Sequence, residues 1–218
     1  TLAFDQGSGS GLATIDDKTP TAAEEIWDGL DGAGASTTSV GGLVGTAGSS
    51  GVVNYVKSYA GIKFNGAWRK GAGVKLSDGS SGGNSEGAWD FAVTGSGSSF
   101  GISELEGLSM GAGYGEASSG TAAGTQSGDD VHMTAFANYS MGPVSFGVQV
   151  SDLNRNAKGV AGEEAVAWGL AVNINEDLSV SYGEREVNYT HASASAIKEK
   201  GDGIAVAYTM GSMKIAGN

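Results

Sequence analysis

"VAWGLAVNINEDLSVSYG", residues 166–183, holds two runs in which every second residue is apolar. Val166, Trp168, Leu170, Val172 and Ile174 alternate with Ala167, Gly169, Ala171 and Asn173. After a break at 175–177, Leu178, Val180 and Tyr182 alternate with Ser179, Ser181 and Gly183. A period of two is the pleat of a β-strand, and a short polar break between two such runs predicts an antiparallel hairpin. The polar phase decides what kind of sheet this is. A face open to bulk water usually carries Lys, Glu, Arg and Thr, whereas here it carries Ala, Gly, Ser and Asn. Small, weakly charged groups suit a crowded, water-filled lumen, which leaves the apolar phase to meet lipid.

The same alternation runs outward in both directions. Val144, Phe146, Val148 and Val150 alternate with Ser145, Gly147, Gln149 and Ser151; Leu108, Met110, Ala112 and Tyr114 with Ser109, Gly111 and Gly113; Ile204, Val206, Tyr208 and Met210 with Ala205, Ala207 and Thr209. The spacing predicts nine full strands, near 52–60, 62–70, 87–95, 107–117, 130–140, 144–151, 164–174, 178–189 and 202–210, with a strand fragment at each end of the chain. Tight connectors at 141–143, 175–177 and 210–212 take turns with long Gly/Ser/Asp-rich loops near 71–86, 118–129, 152–163 and 190–201. Such an arrangement is an up-and-down antiparallel meander. Tyr139, Phe146 and Tyr208 fall near tight-turn ends and Trp68, Trp89, Tyr114, Trp168 and Tyr182 nearer long-loop ends, as the two aromatic belts of a membrane barrel would.

Composition agrees and narrows the function. The 218 residues include 39 Gly and carry a net charge of −12, from 12 Lys+Arg against 24 Asp+Glu, which argues against nucleic acid as a partner. There is no cysteine, so neither a disulfide framework nor a thiolate metal site is available. No run reaches the roughly 20 apolar residues of a membrane helix, and a mean hydropathy of −0.10 is what strand alternation produces. The opening "TLAFDQ" reads as the tail of a strand, so the chain is expected to begin inside a longer protein.

One stretch breaks the pattern. "ATIDDKTPTAAEEIWDGLDG" (13–32) gathers Asp16, Asp17, Glu24, Glu25, Asp28 and Asp31, a quarter of all the acidic residues. Thr21 and Glu24 have capping-box spacing, Pro20 suits a first turn, and Gly29 and Gly32 offer stops, which predicts a short helix near 20–30. By itself such a charge run reads as a solvated helix face.

These stretches, together with "LAFDQGSGSGLATIDDKTPTAAEEIWDGLDG", "MGAGYGEASSG", "VHMTAFANYSMGPVSFGVQVSD", "LAVNINEDLSVSYGEREVNY" and "GIAVAYTMGSMKIAGN", resemble general-diffusion porins of alphaproteobacteria, particularly the marine type. The resemblance covers nearly the whole chain, most specifically 1–32 and 107–218 and weakly 33–86. It implies an all-β transmembrane barrel of the bacterial outer membrane, with 16 strands in the full family protein and about 10 represented here. The 218 residues would be one partial barrel domain, with 6–50 an inward-folded constriction loop carrying the short helix and 51–218 strands and loops. It further implies a homotrimer in membrane lipid, a channel for passive diffusion of small hydrophilic solutes and ions, and no catalytic group. In the family the inward loop supplies carboxylates and the facing wall supplies Arg and Lys. The acidic cluster matches the first in kind. Lys63 and Arg69, opposite in phase to Ile62, Phe64 and Trp68, are candidates for the second, with Lys57 and Arg185 beside them.

Weaker signals point elsewhere. His132 and His191 are the only imidazoles, so no transition-metal site or other resident cofactor is expected, while the Asp-bearing loops could hold calcium weakly without EF-hand spacing. A barrel hydrolase would need His132 near Ser140 or Thr134, which share its phase. The runner-up to the channel is a cell-surface adhesin or structural β-sheet protein whose Gly/Ser/Asp loops do the work.

Overall fold

A computed structural model describes residues 2–5, 11–16, 18–23, 52–69, 85–119, 129–154, 162–190 and 197–217. Eleven strands among them form one antiparallel sheet in sequence order: β1 (Leu2–Asp5), β2 (Val52–Tyr59), β3 (Ile62–Arg69), β4 (Ser85–Ser96), β5 (Leu108–Ser119), β6 (Asp129–Met141), β7 (Val144–Asn154), β8 (Gly162–Asn173), β9 (Leu178–Thr190), β10 (Ile197–Met210) and β11 (Met213–Gly217). The nine expected full strands are β2–β10, and the two end fragments are β1 and β11. Each strand pairs with its sequence neighbour, the up-and-down order of a meander.

The tight connectors have the backbone that hairpins require. Ala60 and Gly61 both take positive φ, 49° and 79°, the two-residue primed turn whose twist matches flanking strands. On the same end of the sheet, the connector at 97–107 is longer. It winds a 3-10 helix, Ser98–Phe100, and is closed by Gly97 N–H donating to the Leu108 carbonyl at 2.8 Å and Ile102 N–H to the Gly97 carbonyl at 2.8 Å.

Two elements run further than the sequence pattern suggested. β7 extends to Asn154, and β10 starts at Ile197, within a stretch read as loop. For β10 the reason is electrostatic. Lys198 and Lys200 pair with Glu186 and Glu184 of β9 at 2.6 and 2.9 Å, so charged residues continue the ladder where apolar ones stop.

Register fixes the two faces. Rows such as Val93–Ala112–Ala135–Val150–Val166 and Leu108–Tyr139–Phe146–Leu170–Tyr182–Ile204 carry the apolar phase on one face across the sheet. This face is the exposed one: Trp68 is 52% exposed, Phe146 50% and Ile204 60%. On the opposite face Asn65, Asp90, His132, Gln149 and Arg185 are buried. Large apolar groups outside and polar groups inside reverse the order of a water-soluble sheet and suit a lipid-facing barrel wall.

The boundary of the apolar band supports the same reading. On β7 and β8 the first outward charges are the paired Asp152 and Glu164, in the row of Asn188; on β9 and β10 they are the paired Glu184 and Asp202. That is four residues, about 13 Å, closer to the tight turns. Strands tilted by about 45° would offset a flat boundary by about 10 Å over two strands spaced about 4.8 Å apart. The aromatics run along the rows of the sheet: Phe146 contacts Trp168 at 6.4 Å and Trp168 contacts Tyr182 at 5.4 Å, with Phe146 and Tyr182 in one row through Leu170 and Trp168 one step toward the long loops. A second line joins Tyr55, Phe64, Phe91 and Tyr114.

Candidate pore-lining site

The inward face is crossed by residues 11–23. A 3-10 helix, Gly11–Ile15, buries Leu12 and Ile15 completely, in a cluster with Ala92 of β4 and Phe136 of β6. Gly113 of β5 makes room, since a Cβ there would come within 2.5 Å of Leu12 Cδ1. Gly11 has φ of +55°, and a side chain on it would strike the Asp90 carboxylate. The apolar cluster expels water locally, which obliges the backbone of the segment to find protein partners.

Those partners are the inward polar residues of successive strands. Asn65 Nδ2 of β3 donates to Thr14 Oγ1 at 3.3 Å, and Asp90 Oδ1 of β4 accepts from the Leu12 N–H at 3.0 Å. Gln149 of β7 does two things at once: its Nε2 donates to the Ile15 carbonyl at 3.0 Å, and its Oε1 accepts from the Lys18 N–H at 2.9 Å. Asn138 Nδ2 of β6 donates to the Lys18 carbonyl. Pro20 lies against Gly147 and Gly169, where side chains would collide with it, and Ser181 Oγ of β9 accepts from the Ala22 N–H at 2.8 Å. The segment thus reaches from β3 to β9.

Of the six acidic candidates, Asp16 is placed here, half-buried; burial pushes its carboxyl up, and the Lys18 ammonium offsets part of that rise. Asp17, Glu24, Glu25, Asp28 and Asp31 lie outside the described residues. Of the helix expected near 20–30, residues 20–23 are described and are not helical, although the Ala23 N–H donates to Thr21 Oγ1 at 3.4 Å, the contact an N-cap makes. The rest lies outside the described residues. The 3-10 turn at 11–15 was not foreseen.

The basic candidates divide. Lys63 and Arg69 share the inward phase with Asn65 and Ala67, Lys63 toward the tight-turn end and Arg69 toward the long-loop end. Arg185 is inward and buried, opposite Ala167 and Gly201. Lys57 departs from expectation: it pairs with Phe64, in phase with Tyr55 and Tyr59, on the outward face. β2 carries apolar residues in both phases, so alternation could not orient it. Its ammonium, two pairs from the Ala60–Gly61 turn, is close enough to the rim to reach water while its stem lies on apolar surface.

The anchors Asn65, Asp90, Asn138, Gln149 and Ser181 were not singled out from the sequence. Their signal was present, as polar residues in the phase opposite the apolar one, but nothing local says that a distant segment fills their hydrogen-bonding capacity. His132 and Ser140 share this face eight residues apart, about 27 Å along the strand, so they cannot act on one substrate atom. Ser140 instead bonds Ser145 at 2.9 Å.

Solved structures similar to this chain share the fold at low identity. OmpT of Vibrio cholerae, expressed in the outer membrane, is 13% identical with a TM-score of 0.57 over 77% of this chain and 52% of that one. A porin refined at 1.8 Å resolution is 13% identical with a TM-score of 0.63, over 99% and 69%. A trimer form of the Vibrio OmpT gives 12%, 0.63, 99% and 64%. The chain spans about half the length of the first of these. No curated protein shows a significant match to the sequence. The family model for Gram-negative porins matches residues 12–216, nearly the whole chain, and the polarity of the sheet is what that family's setting in the bacterial outer membrane requires. The chain belongs to the Gram-negative porin family.

Proposed function

We propose that this protein forms a water-filled, mildly cation-preferring channel for passive diffusion of small hydrophilic solutes and ions, of the alphaproteobacterial general-diffusion type, and that it works as a homotrimer. The observation that carries the reading is residues 11–23 held across the polar inward face by side chains of β3 to β9. A segment tied down in this way narrows a lumen without closing it. In this reading the acidic residues of 13–32 face Lys63, Arg69 and Arg185 across the remaining opening, and selectivity comes from width and field, with no chemical step. The inverted polarity weighs against a soluble surface protein, and the wide separation of His132 from Ser140, with Thr134 Oγ1 engaged by Val150, Gln149 and Ser151, weighs against a hydrolase. The trimer form of the Vibrio protein supports the proposed assembly.

A planar-bilayer reversal potential across a salt gradient tests the proposal. A cation about 10 Å from one carboxylate gains roughly 0.4 kcal/mol in bulk-like dielectric, so four give about 1.6 kcal/mol before screening. At a Debye length of about 8 Å this falls to a few-fold cation preference, and near 1 M salt it vanishes. Replacing Asp16, Asp17, Glu24, Glu25, Asp28 and Asp31 by Asn and Gln should remove the preference at low salt. A neutralised channel that keeps its parent's selectivity would place the cluster away from the permeation path.

A further inference from the structure

The outward face is not uniformly convex. Between β4 and β8 it carries a groove of about 630 Å³, continuous with a second of about 440 Å³ through Val93, Ala112, Ala135 and Val150. The cause is a short run of small residues: Ala112 of β5 and Ala135 and Ala137 of β6 make the floor, Phe91 and Phe100 on one side and Val150 and Val166 on the other stand above it, and Tyr114 and Met133, in the row of Asp152, flank its long-loop end. The groove follows the strands from the row of Asp152 to that of Val148, about 13 Å, and is closed toward the tight turns by Phe100.

Its other end is charged. Asp152 and Glu164 are direct cross-strand partners and both line the groove where it opens toward the long loops. Glu116, bonded by Trp89 Nε1 at 3.1 Å and by the Tyr114 hydroxyl at 2.5 Å, and Asp129 add further carboxylates to the outward surface nearby. The outward ion pairs among the described residues, Glu186–Lys198 and Glu184–Lys200, lie on β9 and β10, beyond the groove. An apolar slot on a lipid-facing wall that opens onto a carboxylate pair complements one hydrocarbon chain whose headgroup carries a positive charge.

We propose that this groove is a lipid site that seats one acyl chain of an amine-headed lipid, whose ammonium donates to Asp152 and Glu164. Shape selects the chain, since Ala112, Ala135 and Ala137 leave an apolar slot between larger side chains. Charge selects the headgroup, since an anionic lipid would be repelled by the same two carboxylates.

Native mass spectrometry of the full chain in detergent, with phosphatidylethanolamine or phosphatidylglycerol supplied at equal mole fraction, tests this. Phosphatidylethanolamine should be retained about fivefold more strongly, with or without a divalent-cation chelator. The Asp152→Asn/Glu164→Gln double variant should bring the two lipids level. Ala135→Leu, which fills the slot, should reduce retention of both. Because the double variant is a near-isosteric change at one half-buried and one exposed position, it reports even if Ala135→Leu fails to fold. Equal retention of the two lipids by the parent protein, an unchanged preference in the double variant, or retention that disappears with the chelator would overturn the proposal. So would a native oligomer that retains no lipid while its heat-released monomer does, because a second copy would then cover the groove.

Discussion

Gln149 shows how a single inward side chain holds the segment that narrows the sheet's polar face. Its amide satisfies a carbonyl and an N–H three residues apart, those of Ile15 and Lys18, and also donates to Thr134 Oγ1 at 3.1 Å. Gln149→Leu keeps approximate volume and strands both backbone groups. Local stability of the segment should fall by about 1 kcal/mol or more. The readout is amide hydrogen exchange, where Lys18 should exchange roughly fivefold faster or more while β7 itself stays protected. Unchanged exchange at Lys18 would mean that the Leu12–Ile15 apolar cluster alone holds the segment. Asp16 carries the pH dependence. Burial raises its carboxyl above the ordinary carboxylate range, so its neutral form is the better packed one. Stability from this group is therefore full at acid pH and is lost as pH rises through the raised value. The charge it contributes to the pore follows the same titration. Cation preference should begin to fall, on acidification, at a higher pH in the parent channel than in Asp16→Asn, and identical pH profiles of the two reversal potentials would exclude Asp16 from the permeation path.

At the scale of the strand, β8 offers the sharpest contrast between faces. Leu170 points outward and Ala171 inward, in adjacent positions of one ladder. Leu170→Arg moves a guanidinium into the apolar band and should destabilise by roughly 2–4 kcal/mol, measured by reversible unfolding into lipid vesicles. Ala171→Arg should cost far less and reduce conductance. Sequence alone would have offered Gly169 as the inward test site, yet a Cβ there would stand 2.5 Å from the Pro20 carbonyl, so Arg at 169 would dislodge the segment as well as add a charge. This is where legibility ends. The strands could be read because alternation is a local property, repeated over eight or more residues, that burial on one face enforces. Contacts between residues 11–23 and the inward face join positions from 51 to 160 residues apart and leave no local period. Two strands were misjudged for related reasons. The ladder of β10 begins in "IKEKG", where charge stands in for hydrophobicity, and β2 has apolar residues in both phases, so only its pairing with β3 puts Lys57 outside.

For the whole molecule, the sheet is an inside-out layer: lipid-facing residues provide its exposed surface, and polar residues, partly covered by one chain segment, provide its interior. Part of the composition follows from that requirement: of the 39 glycines, Gly113, Gly147 and Gly169 leave space for the crossing segment, while large apolar residues line the outer face. The native chain has no cysteine, so single introduced thiols report without background. The most direct measurement is single-channel current through the protein in a planar bilayer, before and after a bulky, charged, water-soluble thiol reagent is added, for Ala171→Cys and Val172→Cys. These neighbours are both half-buried and lie on opposite faces. Stepwise loss of current in Ala171→Cys, with Val172→Cys unaffected, is the result expected if the inward face lines a water-filled channel. Loss of current in Val172→Cys alone, or no effect at either position, would contradict it.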